Sequence, residues 1–216
     1  MSEKRIITLI QPMQGSPSSY ENRALGLSIG ISDSTETLDN PSPYAHDEFI
    51  FIIEGAVEVK NSKTGFSENI GAGGSFVIPH GYDYQWHQQG YLRKLYVRFE
   101  VPKTAEKLNT ENVIYIDENS DISWKETSDG HRKKILYRNS NQGFTAGVWQ
   151  GKAFTTGMIE FPYHEFILIN SGSLICTDET GEEHYFNRGD ALFIPQGTPC
   201  SWEVKSKVSI HYVQIT

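Results

Sequence analysis

The sequence predicts an all-β protein built from two tandem copies of one small antiparallel domain. Three observations carry this expectation: a pattern that recurs once along the chain, short apolar runs of strand length, and turns marked by glycine and proline between them. The recurrence comes first. Tyr44-Ala-His-Asp-Glu-Phe-Ile-Phe-Ile-Ile-Glu-Gly55 aligns with Phe161-Pro-Tyr-His-Glu-Phe-Ile-Leu-Ile-Asn-Ser-Gly172 at an offset of 117. Gly73-Gly-Ser-Phe-Val-Ile-Pro-His-Gly81 aligns with Gly189-Asp-Ala-Leu-Phe-Ile-Pro-Gln-Gly197, Trp86 with Trp202 and Tyr96 with Tyr212, at an offset of 116. One residue is lost in the turn around Asn61–Gly65. A period this long is a duplicated domain, not a solenoid repeat. The expected domains are residues 1–108 and 109–216.

Within each copy the elements follow in order. Phe49–Ile53 and Phe166–Ile169 are too short for helices and rich in β-branched and aromatic residues, so they read as strands. Asn61–Gly65 and Thr177–Gly181 have the composition of hairpin turns. Phe76–Ile78 and Leu192–Ile194 each stop at a proline, which cannot donate to a ladder. Leu95–Phe99 and Ser209–Ile215 close the two copies. Val101–Asn112 reads as a linker, and Val113–Ile116 and Ile135–Arg138 as the opening strands of the second copy. Gly147–Gly151 is matched to Gly26–Gly30. Many short strands at regular spacing indicate a sandwich or barrel.

Composition narrows the function classes. The net charge is −8, with 10 basic and 13 acidic groups in residues 1–108 and 9 and 14 in residues 109–216. Neither half offers a basic stripe to nucleic acid or an anionic membrane. No apolar run approaches membrane-spanning length, and the first residues lack a cleavage pattern, so the expectation is a cytoplasmic protein. Cys176 and Cys200 read as reduced thiols.

The repeated spacings resemble the cupin superfamily. Its first motif ends in Glu, six residues and Gly, matched by Glu48 to Gly55 and Glu165 to Gly172. Its second runs Gly, five residues, Pro-x-Gly, matched by Gly73 to Gly81 and Gly189 to Gly197. The resemblance covers roughly residues 20–100 and 140–216 and implies two jelly-roll barrels, each a double-stranded β-helix. The Glu-Phe start, the tryptophan after the second motif and Arg93–Val97 look closest to the ethanolamine-utilisation and ureidoglycine aminohydrolase-type subgroup. Metal cupins carry histidines six and four residues before the Glu and after Pro-x-Gly. Here Ser42 and Tyr44, and Ile159 and Phe161, hold the first places, and Tyr84 and Cys200 the last. Only Glu48 and Glu165 remain as inherited ligands, so neither copy has a complete inherited metal site.

Strand alternation places the candidates. With Glu48 pointing inward, Tyr44, His46, Tyr84 and Trp86 join it in the first barrel, while Asp47 points out. His46 and Glu48 are the expected acid–base pair, and would also be the ligands of a divalent metal if one were held, the lesser alternative. In the second barrel the same parity groups Tyr163, Glu165, Cys200 and Trp202, with no histidine among them, and Cys200 reads more readily as core filler than as a nucleophile. Lys94, Tyr96 and Arg98 also share parity. They are either the solvent face of an edge strand or cations that enter the first pocket and bind a carboxylate ligand. The expected function is action on, or binding of, a small polar metabolite in the N-terminal barrel, by hydrolase, lyase or isomerase chemistry. The alternative is a non-catalytic binder or a structural bicupin. The expected state is a monomer or homodimer.

Overall fold

The computed structural model describes residues 6–10, 19–35, 43–101 and 112–216, and all of its regular elements there are strands. In chain order they are β1 (Ile7–Ile10), β2 (Tyr20–Asn22), β3 (Leu27–Ser34), β4 (His46–Glu54), β5 (Ala56–Asn61), β6 (Ser67–Gly71), β7 (Ser75–Ile78), β8 (Tyr84–Gln88) and β9 (Leu92–Glu100). There follow β10 (Ile114–Tyr115), β11 (Lys125–Glu126), β12 (Arg132–Arg138), β13 (Phe144–Thr155), β14 (Ile159–Glu160), β15 (His164–Asp178), β16 (Glu183–Asn187), β17 (Ala191–Ile194) and β18 (Pro199–Ile215). No helix among the described residues is long and apolar enough to cross a membrane.

Contacts divide the chain into two compact units. One comprises Ser19–Ile116 with Tyr137–Phe144, the other Met1–Ser18, Asp117–Leu136 and Thr145–Thr216. The halves 1–108 and 109–216 remain a proposal about duplication, and the compact units interleave them.

In the first unit a six-stranded antiparallel sheet, in the order β10-β7-β4-β9-β3-β2, faces a three-stranded one, β6-β5-β8. Apolar residues of both meet in one core, among them Ile50, Ile52 and Phe76 from the larger sheet and Val57, Val59 and Trp86 from the smaller. Strand β7 is buried along its whole length and ends before Pro79. Strand β8 alternates, with Tyr84, Trp86 and Gln88 buried and Gln85 and His87 exposed. This is the two-residue period of a sheet with one wet face.

The second unit repeats the plan with longer strands. β15 runs through the positions that β4 and β5 divide between them, and β18 through those of β8 and β9. The motif glycines explain the corner. Gly55 has φ +86° and Gly172 φ +78°. A Cβ at Gly55 would stand 2.3 Å from the Tyr91 carbonyl oxygen, and one at Gly172 2.0 Å from that of Lys207. Only glycine fits where the strand turns this close beneath a neighbouring backbone.

Two strands depart from the expected order. Val113–Ile116, expected to open the second copy, lies against the first unit's sheet, with Ile114 paired to Val77 and Tyr115 to Phe76. Val113 joins that unit's core. Conversely, Ile7 pairs with Phe193 and Thr8 with Leu192 in the second unit. The strand Ile7–Ile10 is therefore paired within its own chain. The expected linker lies outside the described residues except for its ends, Val101 and Asn112.

Candidate functional site

A cavity of about 220 Å³ opens inside the first barrel. Tyr44, Glu48, Tyr84 and Trp86, all named by strand parity, line it. So do Lys94, Tyr96 and Arg98 from β9, with Ser32, Ile50 and Ile78. Ser42 lies outside the described residues.

Glu48 is the centre of the cavity and is 1% exposed. Register explains its neighbours: it sits opposite Arg98 on β9 and Ile78 on β7. The Tyr44 hydroxyl donates to Glu48 Oε2. Arg98 Nε donates to the same oxygen at 3.1 Å, and Lys94 Nζ to Oε1 at 3.3 Å. Aromatic rings hold both cations against the wall. Lys94 Nζ lies 4.7 Å from the Trp86 ring centroid, and Arg98 Cζ 5.3 Å from that of Tyr96. Trp86 is itself fixed, because its indole N–H donates to Gln88 Oε1 at 3.1 Å. Gln88 Nε2 in turn donates to the Gly90 and Ser34 carbonyls. Burial, with the Glu48 charge beside it, raises the Tyr84 phenol far above its ordinary range, so it stays a hydrogen-bond donor.

His46, expected as the acid–base group, does not line the cavity. It is the first residue of β4, half-buried, and meets the Tyr44 ring edge-on at 5.6 Å. Its Nδ1 has no hydrogen-bond partner. Burial first, then the Arg98 charge, lowers its pKa, which favours the neutral imidazole. Asp47 has the parity expected of it but not the solvent exposure. It is fully buried on the other face of β4, where it accepts from the His80 backbone N–H, the Tyr137 hydroxyl and Asn139 Nδ2.

The second barrel places the homologous residues differently. Glu165 is buried and accepts from Gln214 Nε2 at 3.3 Å. Burial raises its carboxyl to about 7, against the smaller lowering effects of Gln214 and Lys133. Cys200 is fully buried in the core, where burial pushes its thiol up to about 12. That thiol is core filler and no nucleophile near neutrality. Trp202 packs against Phe161 at 5.3 Å and Trp149 at 6.4 Å. Tyr163 stands apart from the group expected of it. It is 37% exposed, because Pro162 and Tyr163 form a bend before β15 begins and the alternation does not extend through it.

Trp149 and His131 were missed in the sequence. The match of Gly151 to Gly30 is displaced by four residues. A Cβ on Gly30 would meet the Tyr96 hydroxyl at 3.1 Å, and one on Gly147 would meet that of Tyr212, its repeat partner, at 2.9 Å. Gly147 is thus the counterpart of Gly30, and Trp149 of Ser32. Where the first barrel has a serine at its cavity, the second has an indole that packs on Trp202 and on Phe154. The His131 ring covers the same cluster, 5.0 Å from Trp149 and 4.6 Å from Phe154.

Among the described residues, neither barrel offers a ligand set suited to a transition metal. In the first, both Glu48 oxygens are engaged, two of the three donors seen on them are cations, and no imidazole is among the described residues that line the cavity. In the second, one carboxylate held near its neutral form and one protonated thiol make a poor donor set. Asp178, Glu182 and His184 do gather at the β15–β16 turn. There Asp178 Oδ1 accepts from the Thr180 and Glu182 amides, and Oδ2 lies 3.3 Å from His184 Nε2, so the group forms a self-bonded hairpin turn.

Paired jelly-roll units with a polar cavity inside one of them define a cupin-fold protein. A family model for the EutQ-like cupin domain matches residues 39–96 and 139–212, and the chain belongs to that family. Among solved structures, a protein of unknown function from Pseudomonas syringae pv. tomato is similar at a TM-score of 0.81 and 18% identity, covering 98% of this chain and 100% of its own. A cupin 2 conserved barrel domain protein from Leptotrichia buccalis is similar at 0.67 and 10% identity, covering 100% and 91%. A salicylate 1,2-dioxygenase from Pseudaminobacter salicylatoxidans is similar at 0.59 and 13% identity, covering 99% and 77%. No curated protein matches the chain. At these identities the structural likenesses speak to the fold.

Proposed function

We propose that this chain binds a small polar metabolite in its N-terminal barrel, and that its C-terminal barrel is a filled structural copy. The carrying observation is the replacement of Ser32 by Trp149 at equivalent positions. The first barrel keeps a cavity walled by aromatic rings with a few fixed polar groups, the usual composition of a small-ligand site. The second fills the corresponding space with packed indole and phenyl rings. Binding without turnover is the preferred reading, because His46, the group suited to proton transfer near neutrality, lies outside the cavity lining.

The repeat supplies the test. Saturation-transfer NMR with a set of small acids, amides and polyols should detect binders to the wild type. Ser32→Trp, which copies the second barrel, should abolish their signals, and Cys200→Ala should leave them unchanged. Signals that survive Ser32→Trp would place the site elsewhere. Conversion of any of these compounds would replace the binder reading with an enzyme.

A further inference from the structure

Among the described residues, three charged groups line the first cavity: one carboxylate, Glu48, and two cations, Lys94 and Arg98. The second barrel buries the matching glutamate without either cation, and burial there raises its carboxyl to about 7. By the repeat offset, Lys94 corresponds to Ile210 and Arg98 to Gln214. Among the described residues the Gln214 amide is the hydrogen-bonding neighbour of Glu165, and Lys133 acts on it as a weaker, more distant charge. The first barrel instead sets two cations on its single glutamate, one more than the formal charge of that carboxylate balances.

The donor count points the same way. Arg98 spends only Nε on Glu48, and Lys94 one of its three N–H bonds. Among the described residues the rest of the guanidinium fork has no hydrogen-bond partner, and the side chain, 39% exposed, lines the cavity. Taking formal charges, two cations against one carboxylate leave one positive charge. That surplus matches a monoanion, and the planar fork suits a carboxylate. The protonated Tyr84 hydroxyl, which also lines the cavity, adds a neutral donor.

We infer that the first barrel is a receptor for a small monocarboxylate, whose carboxylate is anchored by Arg98 and Lys94 while its body lies against Trp86 and Tyr84. The inference rests on the N-terminal barrel being the ligand site. Glu48 then acts as an internal counter-ion that holds both cations in place and competes with the ligand for them.

The experiment is calorimetric titration of the full chain with acetate, pyruvate and benzoate, each paired with its neutral amide, and with inorganic phosphate. At least one carboxylate should bind, about tenfold or more tighter than its amide, as a charge-assisted bond implies. Arg98→Gln, the residue of the second barrel, should erase that preference. Arg98→Lys, a milder change should the first variant misfold, should weaken it. Glu48→Gln should tighten carboxylate binding, because it frees the cations. Amides binding as well as acids, with both lost in Ser32→Trp, would overturn the carboxylate anchor and leave the binding site standing. Phosphate binding tighter than every carboxylate would overturn the monocarboxylate assignment. No binding by any probe would overturn the inference and count against the binding site as well.

Discussion

The Tyr137 hydroxyl donates to Asp47 Oδ1 across 2.5 Å, and both side chains are buried. Asn139 Nδ2 reaches the other oxygen at 2.9 Å. This carboxylate ties the segment Tyr137–Phe144 into the first unit, although strand β4 lies some ninety residues earlier in the chain. Removing the acceptor strands several buried donors at once. Asp47→Ala should cost about 3 kcal/mol in urea unfolding, and Tyr137→Phe about 1 kcal/mol. Equal, negligible losses would mean that the network is incidental.

Glu165 makes stability depend on pH. Its folded value near 7 lies above the ordinary carboxylate range, so the folded state holds the proton more tightly than the unfolded state does. Its contribution is intact in acid and is lost as pH rises through about 7. Glu165→Gln should therefore raise the melting temperature at pH 8 and leave it nearly unchanged at pH 4. A variant that loses stability equally at both values would show that the carboxyl is needed for packing rather than penalised for its charge.

His211 acts at the other end of the scale. Burial lowers its pKa to about 4, against Asp117 and Glu118, which raise it. The unfolded chain takes up this proton first, so stability falls as pH drops from the ordinary histidine range toward 4. His211→Gln should flatten that part of an acid-unfolding curve. An unchanged curve would assign acid sensitivity to other groups.

Trp149 packs on Phe154 and Trp202 in the second barrel. Trp149→Ser should lower stability by about 3 kcal/mol through the void it leaves. It should leave carboxylate binding in the first barrel unchanged. Loss of binding there would contradict a filled, structural second copy.

The fold was legible because its corners need glycine and its strand ends tolerate proline. Both residues are visible as fixed spacings, Glu48 to Gly55 and Gly73 to Pro79, and both recur. Tyr44, Glu48, Tyr84 and Trp86 were legible from alternation, and Lys94 and Arg98 as one of two readings of theirs. Alternation alone could not show that His46 stands beside Tyr44 outside the cavity lining, or that Tyr163 precedes the strand. Trp149 was hidden for another reason. Its register against Ser32 depends on which glycine lies beneath a tyrosine ring, a contact between distant strands that the local pattern does not encode.

The pairing of Ile7 with Phe193 also governs how the chain is made. The two residues are 186 positions apart (193 − 7). At a ribosomal rate of about 5–20 residues per second, the first strand waits roughly 10–40 s for its partner to be synthesised. For that time its backbone donors and acceptors are available to any other nascent strand nearby. The second barrel therefore waits on a strand made long after its first, and its yield should respond to crowding on the polysome more than that of the first.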